Sequence, residues 1–399
     1  MQNQPTLKIE FVAIIALLMS LVALSIDGIL PALAVIGQDF GVTNTNDHQL
    51  LITMIFLGLG FGQLIFGPLS DSYGRKPIIY IGFLVFAVAS IICVNTSNFK
   101  LLIAARILQG IGLASPRTLS IAMIRDSYEG DYMAKVMSFI VMIFILIPII
   151  APTLGQFLML KYNWQTIFNV QLGIGVLVIL WFWKRQPETL AINNRIPFRS
   201  ATLFSGFIEF FKHEQAIAFT LISGFITGSF MVYLSTSQYI FEVQYDLGDD
   251  FPIIFASLAV GVGFATYLNG MIVVKVGMKR IALVSLMAYT LSSLIYVLVF
   301  FNQVNPKLWV LLAFFAFQFT AVGFLFGNLR ALAMQPIGHI AGVGAAVNGF
   351  ISTLMGVLIA IAIGTFINTT TWPLFLGFSV CGFVSLLIFL QNKPLERTV

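Results

Sequence analysis

The sequence predicts an all-α integral membrane fold of twelve transmembrane helices, arranged as two pseudo-symmetric sets of six (6+6). Three observations predict it: the composition, the number of apolar runs, and an echo between the two halves. Of 399 residues, 59% are hydrophobic and 9% charged, which leaves too little polar surface to coat a soluble body of this size, so lipid must be the outer solvent. A membrane-spanning helix needs about 20 predominantly apolar residues. The chain supplies twelve such runs, at 11–36, 49–69, 77–96, 99–123, 135–160, 164–183, 215–241, 252–274, 280–301, 308–330, 341–366 and 371–391. Gly67 and Gly74, between the second and third spans, recur as Gly270 and Gly277 at the same place in the second half, shifted by 203 residues and again followed by basic residues.

The first run, Phe11 to Ile36, is too long for a cleavable signal and follows only Lys8, so it reads as the first span. With an even number of spans both termini share a side. Of the 21 Lys and Arg residues, 16 fall on that side, three fall opposite (Lys100, Lys161, Lys307), and Arg106 and Arg117 lie within a span. The positive-inside rule therefore predicts cytoplasmic termini. It also explains the net charge of +5 without a nucleic acid. Cys93 and Cys381 lie in apolar runs far apart, which indicates neither a disulfide framework nor a metal cluster.

The longest polar interruption divides the chain into a six-helix bundle at 1–183, a cytoplasmic linker at 184–214 and a second bundle at 215–399. Within the linker, Leu203, Phe204, Phe207, Phe210 and Phe211 recur at near-helical spacing between Arg199 and His213. This segment is either an amphipathic helix on the inner leaflet or an ordinary tether.

Gly67-Pro-Leu-Ser-Asp71-Ser-Tyr-Gly74-Arg75-Lys76-Pro77 resembles the signature that the major facilitator superfamily carries between its second and third spans. Arg106-Ile-Leu-Gln109-Gly110-Ile-Gly112 in span four and Ala151-Pro152-Thr-Leu-Gly155 in span five extend the match, the latter resembling the antiporter signature with Ala151 and Gln156 in place of two glycines. With Ser25-Ile-Asp27-Gly-Ile-Leu-Pro31 and Phe326-Gly-Asn328 through His339-Ile-Ala-Gly342, the chain looks like the drug:proton antiporters of the bicyclomycin and chloramphenicol resistance (Bcr/CflA) type. The resemblance implies the superfamily's fold, with a substrate cavity at the midplane between halves. It also implies a monomer that exports small, partly apolar compounds by alternating access, with the proton gradient as driving force and no cofactor.

The residues have their own physical reading. Asp27 is the acid that falls inside a predicted span, where a carboxylate is costly and marks function by default. Pro31, four residues on, cannot donate to the Asp27 carbonyl and predicts a kink there. Low dielectric favours a neutral acid while a nearby cation favours the anion, and such opposed effects suit a titrating coupling site. A protonated, structural Asp is the alternative. Arg106 stays charged, so its burial demands an acceptor: the Asp27 carboxylate, or the carbonyl that Pro31 releases. Arg106 then serves proton coupling with Asp27, or clamps span four to span one.

Asp71 can dock at the N-terminus of a cytoplasmic helix starting near Gly338 to Gly342, and Arg75 can pair with Asp126. Gly67, Asp71, Gly74, Arg75, Lys76 and Asp126 would thus form a cytoplasmic latch, or simply a basic loop that satisfies topology. Pro148, Pro152 and Gly155 predict a kinked gating helix in span five. Gln109, Arg117, Tyr233, Gln238 and Gln318 are candidates for a substrate cavity, with helix–helix hydrogen bonding as their other role. Arg117 lies eleven residues past Arg106, about 16 Å nearer the cytoplasm by helical rise, and either attracts an anionic group or snorkels to the interface.

No Gly-x-x-x-x-Gly-Lys-Ser/Thr loop supports ATP drive, and His48, His213 and His339 fall in predicted loops with no metal spacing or nucleophile elbow to suggest an enzyme. A channel would need rings of like residues. The remaining competitors are an exporter dedicated to one metabolite or siderophore, and an importer on the same scaffold. The expected partners are a small molecule, protons and the bilayer, and no metal or cofactor is expected.

Overall fold

The structure is a computed structural model that describes residues 9–42, 44–128, 130–195, 200–248, 250–301 and 305–392. Lys8, Arg199, Lys393 and Arg397, and the side chains of Lys135, Leu203, Phe204 and His339, lie outside the described residues. The elements in order are α1 (Ile9–Asp27), a 3-10 turn (Leu30–Ala32), α2 (Leu33–Asp39), the short α3 (Thr45–His48), α4 (Leu50–Tyr73), α5 (Arg75–Asn95), α6 (Phe99–Ser127), α7 (Gly130–Lys161) and α8 (Trp164–Arg185). They continue with α9 (Ser200–Phe210), α10 (Glu214–Gln238) running on as a π-helical segment (Tyr239–Gln244), α11 (Phe251–Val276), α12 (Met278–Val299), α13 (Leu308–Met334), a 3-10 segment (Gln335–Ile340), α14 (Ala341–Gly364) and α15 (Trp372–Gln391). Among the described residues, eleven helical stretches are long and apolar enough to cross a membrane, and α7, at 32 residues, is the twelfth long helix.

Two span boundaries differ from the sequence reading in ways that matter. Span one breaks at Gly28 and re-forms as α2 after the 3-10 turn that holds Pro31, which is the expected kink. Span seven does not stop at 241: the π segment carries the helix to Gln244, so one continuous apolar stretch from Glu214 to Gln244 takes in Glu242. By contrast α7 runs without interruption through Pro148 and Pro152.

By contact, the described chain falls into two compact units: residues up to Leu203 with Gly248–Ser257, and Phe204–Leu247 with the residues from Leu258 onward. In the first, α6 packs on α4 with backbone against backbone. A Cβ at Gly110 would run into the Ile55 carbonyl oxygen, and one at Gly58 into that of Ile107. Asn98 and Asn163 cap α6 and α8, their side chains accepting from Leu101 and Lys100, and from Thr166, respectively.

In the second unit the core is aromatic. Phe375 stacks on Tyr296 with centroids 3.7 Å apart, and Phe315 on Phe319 at 5.5 Å. Asn348 of α14 donates to Thr220 of α10 at 2.9 Å, and Asn328 of α13 to Asn269 of α11 at 2.7 Å. Each bond ties two helices through neutral polar groups, the usual adhesive where lipid removes the hydrophobic drive.

Candidate functional site

Asp27 is the last residue of α1 and only 6% exposed, held at the point where the helix comes apart. The break leaves the carbonyls of the final turn in need of donors. Leu24 O receives the Gly28 N–H at 3.0 Å and the Gln171 amide of α8 at 3.1 Å. Ser25 O receives the Arg106 guanidinium at 3.0 Å. Arg106 is fully buried and also donates to Leu51 O of α4 at 2.8 Å and to Gln109 Oε1 at 2.5 Å, with the Phe168 ring 5.7 Å away.

The acceptor on span one is therefore the Ser25 carbonyl rather than the Asp27 carboxylate or the Asp27 carbonyl. The reason is that α1 gives out at Asp27, so the free carbonyls begin earlier than the position four residues before Pro31. A cation at a helix C-terminus is favoured by the helix dipole, and the planar guanidinium has donors enough for three acceptors on three elements. Gln109, offered by the sequence as a cavity residue, passes the network on to Ser90 of α5 at 2.9 Å and is itself fully buried.

The Pro148–Gly155 segment of α7 lies against this same break. A Cβ at Gly155 would collide with the Gly28 carbonyl oxygen, and the Ala151 carbonyl oxygen is also near Gly28. The fold thus brings the span-one, span-four and span-five motifs to one place. Ser25 Oγ and Gln171 Oε1 are buried there without a hydrogen-bond partner among the described residues, leaving polar capacity beside the acid.

The α4–α5 junction forms a second polar cluster. Gly74 adopts φ 103°, ψ 158°, a conformation essentially reserved for glycine, and starts α5 without a side chain of its own to cap it. The cap comes from Glu188, just past α8, whose carboxylate accepts from Arg75 N and Lys76 N at 3.0 Å each. Arg75, buried, reaches Asp71 at 2.5 Å, Asp126 at 2.9 Å and Ser70 Oγ at 2.7 Å. Thr189 adds a hydrogen bond to Asp126 at 3.2 Å, and Lys76 Nζ donates to Trp183 O at 3.3 Å. The Arg75–Asp126 pair matches the expected one; Gly67 meets little, a Cβ there finding only a Thr118 methyl at 4.0 Å. Glu188 was missed by sequence reasoning, although an uncapped helix start at Gly74 and an acid near the start of the long polar segment after the sixth span were both visible.

These motifs, on this helix order, fit one family. The profile described as Major Facilitator Superfamily matches residues 15–360. The chain belongs to the major facilitator superfamily. It is thus a multi-pass membrane transporter and not an enzyme. Among its relatives, a bicyclomycin resistance protein homolog of Haemophilus influenzae is 27% identical over 397 residues, covering 99% of both chains. An uncharacterised superfamily transporter of Bacillus subtilis, YdgK, is 30% identical over 93% of this chain and 92% of its own. The multidrug resistance protein MdtL of Shewanella oneidensis is 25% identical over 94% and 93%. The drug-resistance type that the motifs resembled is the one that the Haemophilus and Shewanella names carry. Among solved structures, a D-xylose-proton symporter shares the fold with a TM-score of 0.78 at 14% identity, over 97% of this chain and 98% of that one.

The other cavity candidates lie on α6, α10 and α13. Gln318 is fully buried and donates to Tyr289 O at 3.1 Å, which makes it a bond between α13 and α12. Tyr233 is buried in an aromatic group, 4.4 Å from Phe319 and 5.1 Å from Phe315 between centroids. Arg117 is exposed on α6. Gln238 differs from these: its amide donates to Glu242 at 2.6 Å. The extended α10 takes in Glu242 near its end, an acid that the span predicted at 215–241 had left outside.

Proposed function

We propose that this superfamily transporter is a proton-coupled exporter of small, partly apolar compounds, a drug:proton antiporter working by alternating access in the bacterial inner membrane. In this reading two six-helix bundles, 1–183 and 215–399, are joined by a cytoplasmic linker at 184–214, both termini are cytoplasmic, and the monomer is the working unit. The observation that carries it is Asp27, a carboxyl buried at the end of a broken helix, with the α7 backbone against the break and Arg106 fastened two residues away.

Asp27 takes up a proton from the outer side and releases it to the cytoplasm in each cycle, in exchange for cargo moving outward. Arg106 acts as a positioning residue that holds the last turn of α1 rather than as an ion-pair partner. Pro148, Pro152 and Gly155 let α7 move against Gly28 as the outer path closes. The junction cluster of Gly67, Asp71, Gly74, Arg75, Lys76 and Asp126 latches the cytoplasmic side. The resistance names of the relatives support a drug-like cargo.

The test is transport in proteoliposomes under an imposed pH gradient. Asp27→Asn should abolish gradient-driven transport while leaving cargo binding within about threefold. Full proton-driven transport by that variant would place the coupling site elsewhere.

A further inference from the structure

The end of α10 combines three features that the transport reading above does not use. The helix passes into a π-helical segment at Tyr239–Gln244, a rare geometry that recurs at functional positions because it widens the turn and re-aims side chains. Glu242 sits in that segment, half-buried, and Gln238, 5% exposed, donates its amide to Glu242 Oε2 at 2.6 Å. The carboxylate therefore stands at the C-terminal end of a helical stretch 31 residues long, where the unpaired carbonyls already carry negative charge and favour a cation.

Among the described residues no Lys, Arg or His forms an ion pair with Glu242, and neither its Oε1 nor the Gln238 Oε1 accepts a hydrogen bond. A partly desolvated acid at the negative pole of a helix, without a counter-charge, is electrostatically short of one positive charge. The segment is also held in place. Gln244 Oε1 accepts from Asn305 at 3.0 Å, and the Tyr245 hydroxyl donates to Pro306 O at 2.8 Å, so the acid is presented by fixed backbone rather than by a loose loop end.

We infer that Glu242, with Gln238, is a recognition site for the cationic group of a lipophilic cargo. The carboxylate supplies the counter-charge and the Gln238 Oε1 a second acceptor. Two side-chain oxygens, with the exposed Val243 next in the chain, fall short of the all-oxygen shell that a hard metal ion needs, which favours an organic cation. The inference rests on the transport reading and adds to it a charge class for part of the cargo.

The experiment is equilibrium binding to the purified full-length protein, with tetraphenylphosphonium as the cationic probe and triphenylphosphine oxide as a neutral one of similar shape. Glu242→Gln should weaken tetraphenylphosphonium about tenfold or more and leave triphenylphosphine oxide within about twofold, with Glu242→Asp in between. Unchanged tetraphenylphosphonium affinity, or equal losses for both probes, overturns the inference; so does a wild-type protein that binds neither. Gradient-driven transport of a neutral compound by wild-type vesicles, lost in Asp27→Asn, separates the two readings: its presence leaves the transport function standing even if the cation site fails.

Discussion

The junction at Gly74 and the junction at Gly277 occupy equivalent places in the two units, and they share a backbone while differing in everything attached to it. Gly74 starts α5 with φ 103°, ψ 158°, and Gly277 starts α12 with φ 90°, ψ 135°. At the first, a Cβ would meet Glu188 Oε2 at 2.7 Å and the Arg195 guanidinium at 3.0 Å; at the second it would meet nothing within 4 Å. Where the first has Asp71, the second has Val274, 91% exposed, and where the first has Arg75, the second has Met278. The glycine turn is thus what two antiparallel membrane helices need in order to reverse. The ion network is an addition made in one unit only, among the described residues. Polar groups in the helix cores divide the same way. Asp27 and Arg106 are buried in the first unit, whereas helix pairs in the second are joined by Asn, Gln and hydroxyl side chains around packed aromatic rings.

The largest effect should separate those two cores. Arg106→Lys replaces a planar group bonded to Ser25 O, Leu51 O and Gln109 by a compact ammonium that cannot span all three, at a cost of about 1–3 kcal/mol for each buried acceptor left unpaired. Gln318→Leu in the second unit removes one neutral bond, to Tyr289 O, at a cost of about 1 kcal/mol. Thermal unfolding in detergent, followed by transport of the survivors, compares them. Equal losses would mean that the charged core is no more critical than the neutral one.

A smaller but sharper contrast lies at the junctions themselves. Gly277→Leu should cost only the backbone strain of a side chain at positive φ, about 1–3 kcal/mol, because open space surrounds it. Gly74→Leu carries the same strain and must also push the Glu188 carboxylate off α5. The expected result is a clearly lower transport rate for Gly74→Leu than for Gly277→Leu at matched expression, with cargo affinity little changed in either. Matched rates would reduce the first junction to a turn.

Much of this was legible before any coordinates, and the misses have physical reasons. Twelve apolar runs, the paired glycines and the kink at Pro31 follow from hydropathy period and backbone chemistry, which act locally. The Arg75–Asp126 pair was readable because both ends lie at the same edge of neighbouring spans. The Arg106 acceptor was misplaced by two residues, since sequence shows which N–H a proline lacks but not how early a helix gives out before it. Glu242 fell one residue outside the predicted span because a π turn extends a helix without any change in hydropathy to announce it. The roles of Gln109 and Gln318 depend on which helix face meets which neighbour, and that is decided by packing against helices whose contacting residues lie 19 and 29 positions away along the chain.

The smallest effect tests whether the Glu188 cap matters for itself or only as an obstacle at Gly74. Glu188→Gln keeps the size and one acceptor oxygen but loses the charge. In the native chain Oε1 accepts from Arg75 N, Thr189 N and Leu190 N while Oε2 accepts from Lys76 N, so an amide, with its nitrogen in place of one oxygen, must give up one end of that arrangement. The lost cap and the lost anion at a helix N-terminus are together worth about 0.5–2 kcal/mol. Hydrogen exchange should then rise at the first amides of α5 and at residues 189–190, with α12 unchanged as the internal control because its start has no such cap. Transport should fall by less than in Gly74→Leu. A Glu188→Gln variant with native protection at Arg75 and Lys76 would show that the glycine turn alone fixes the start of α5, and would remove the cap from the difference between the two junctions.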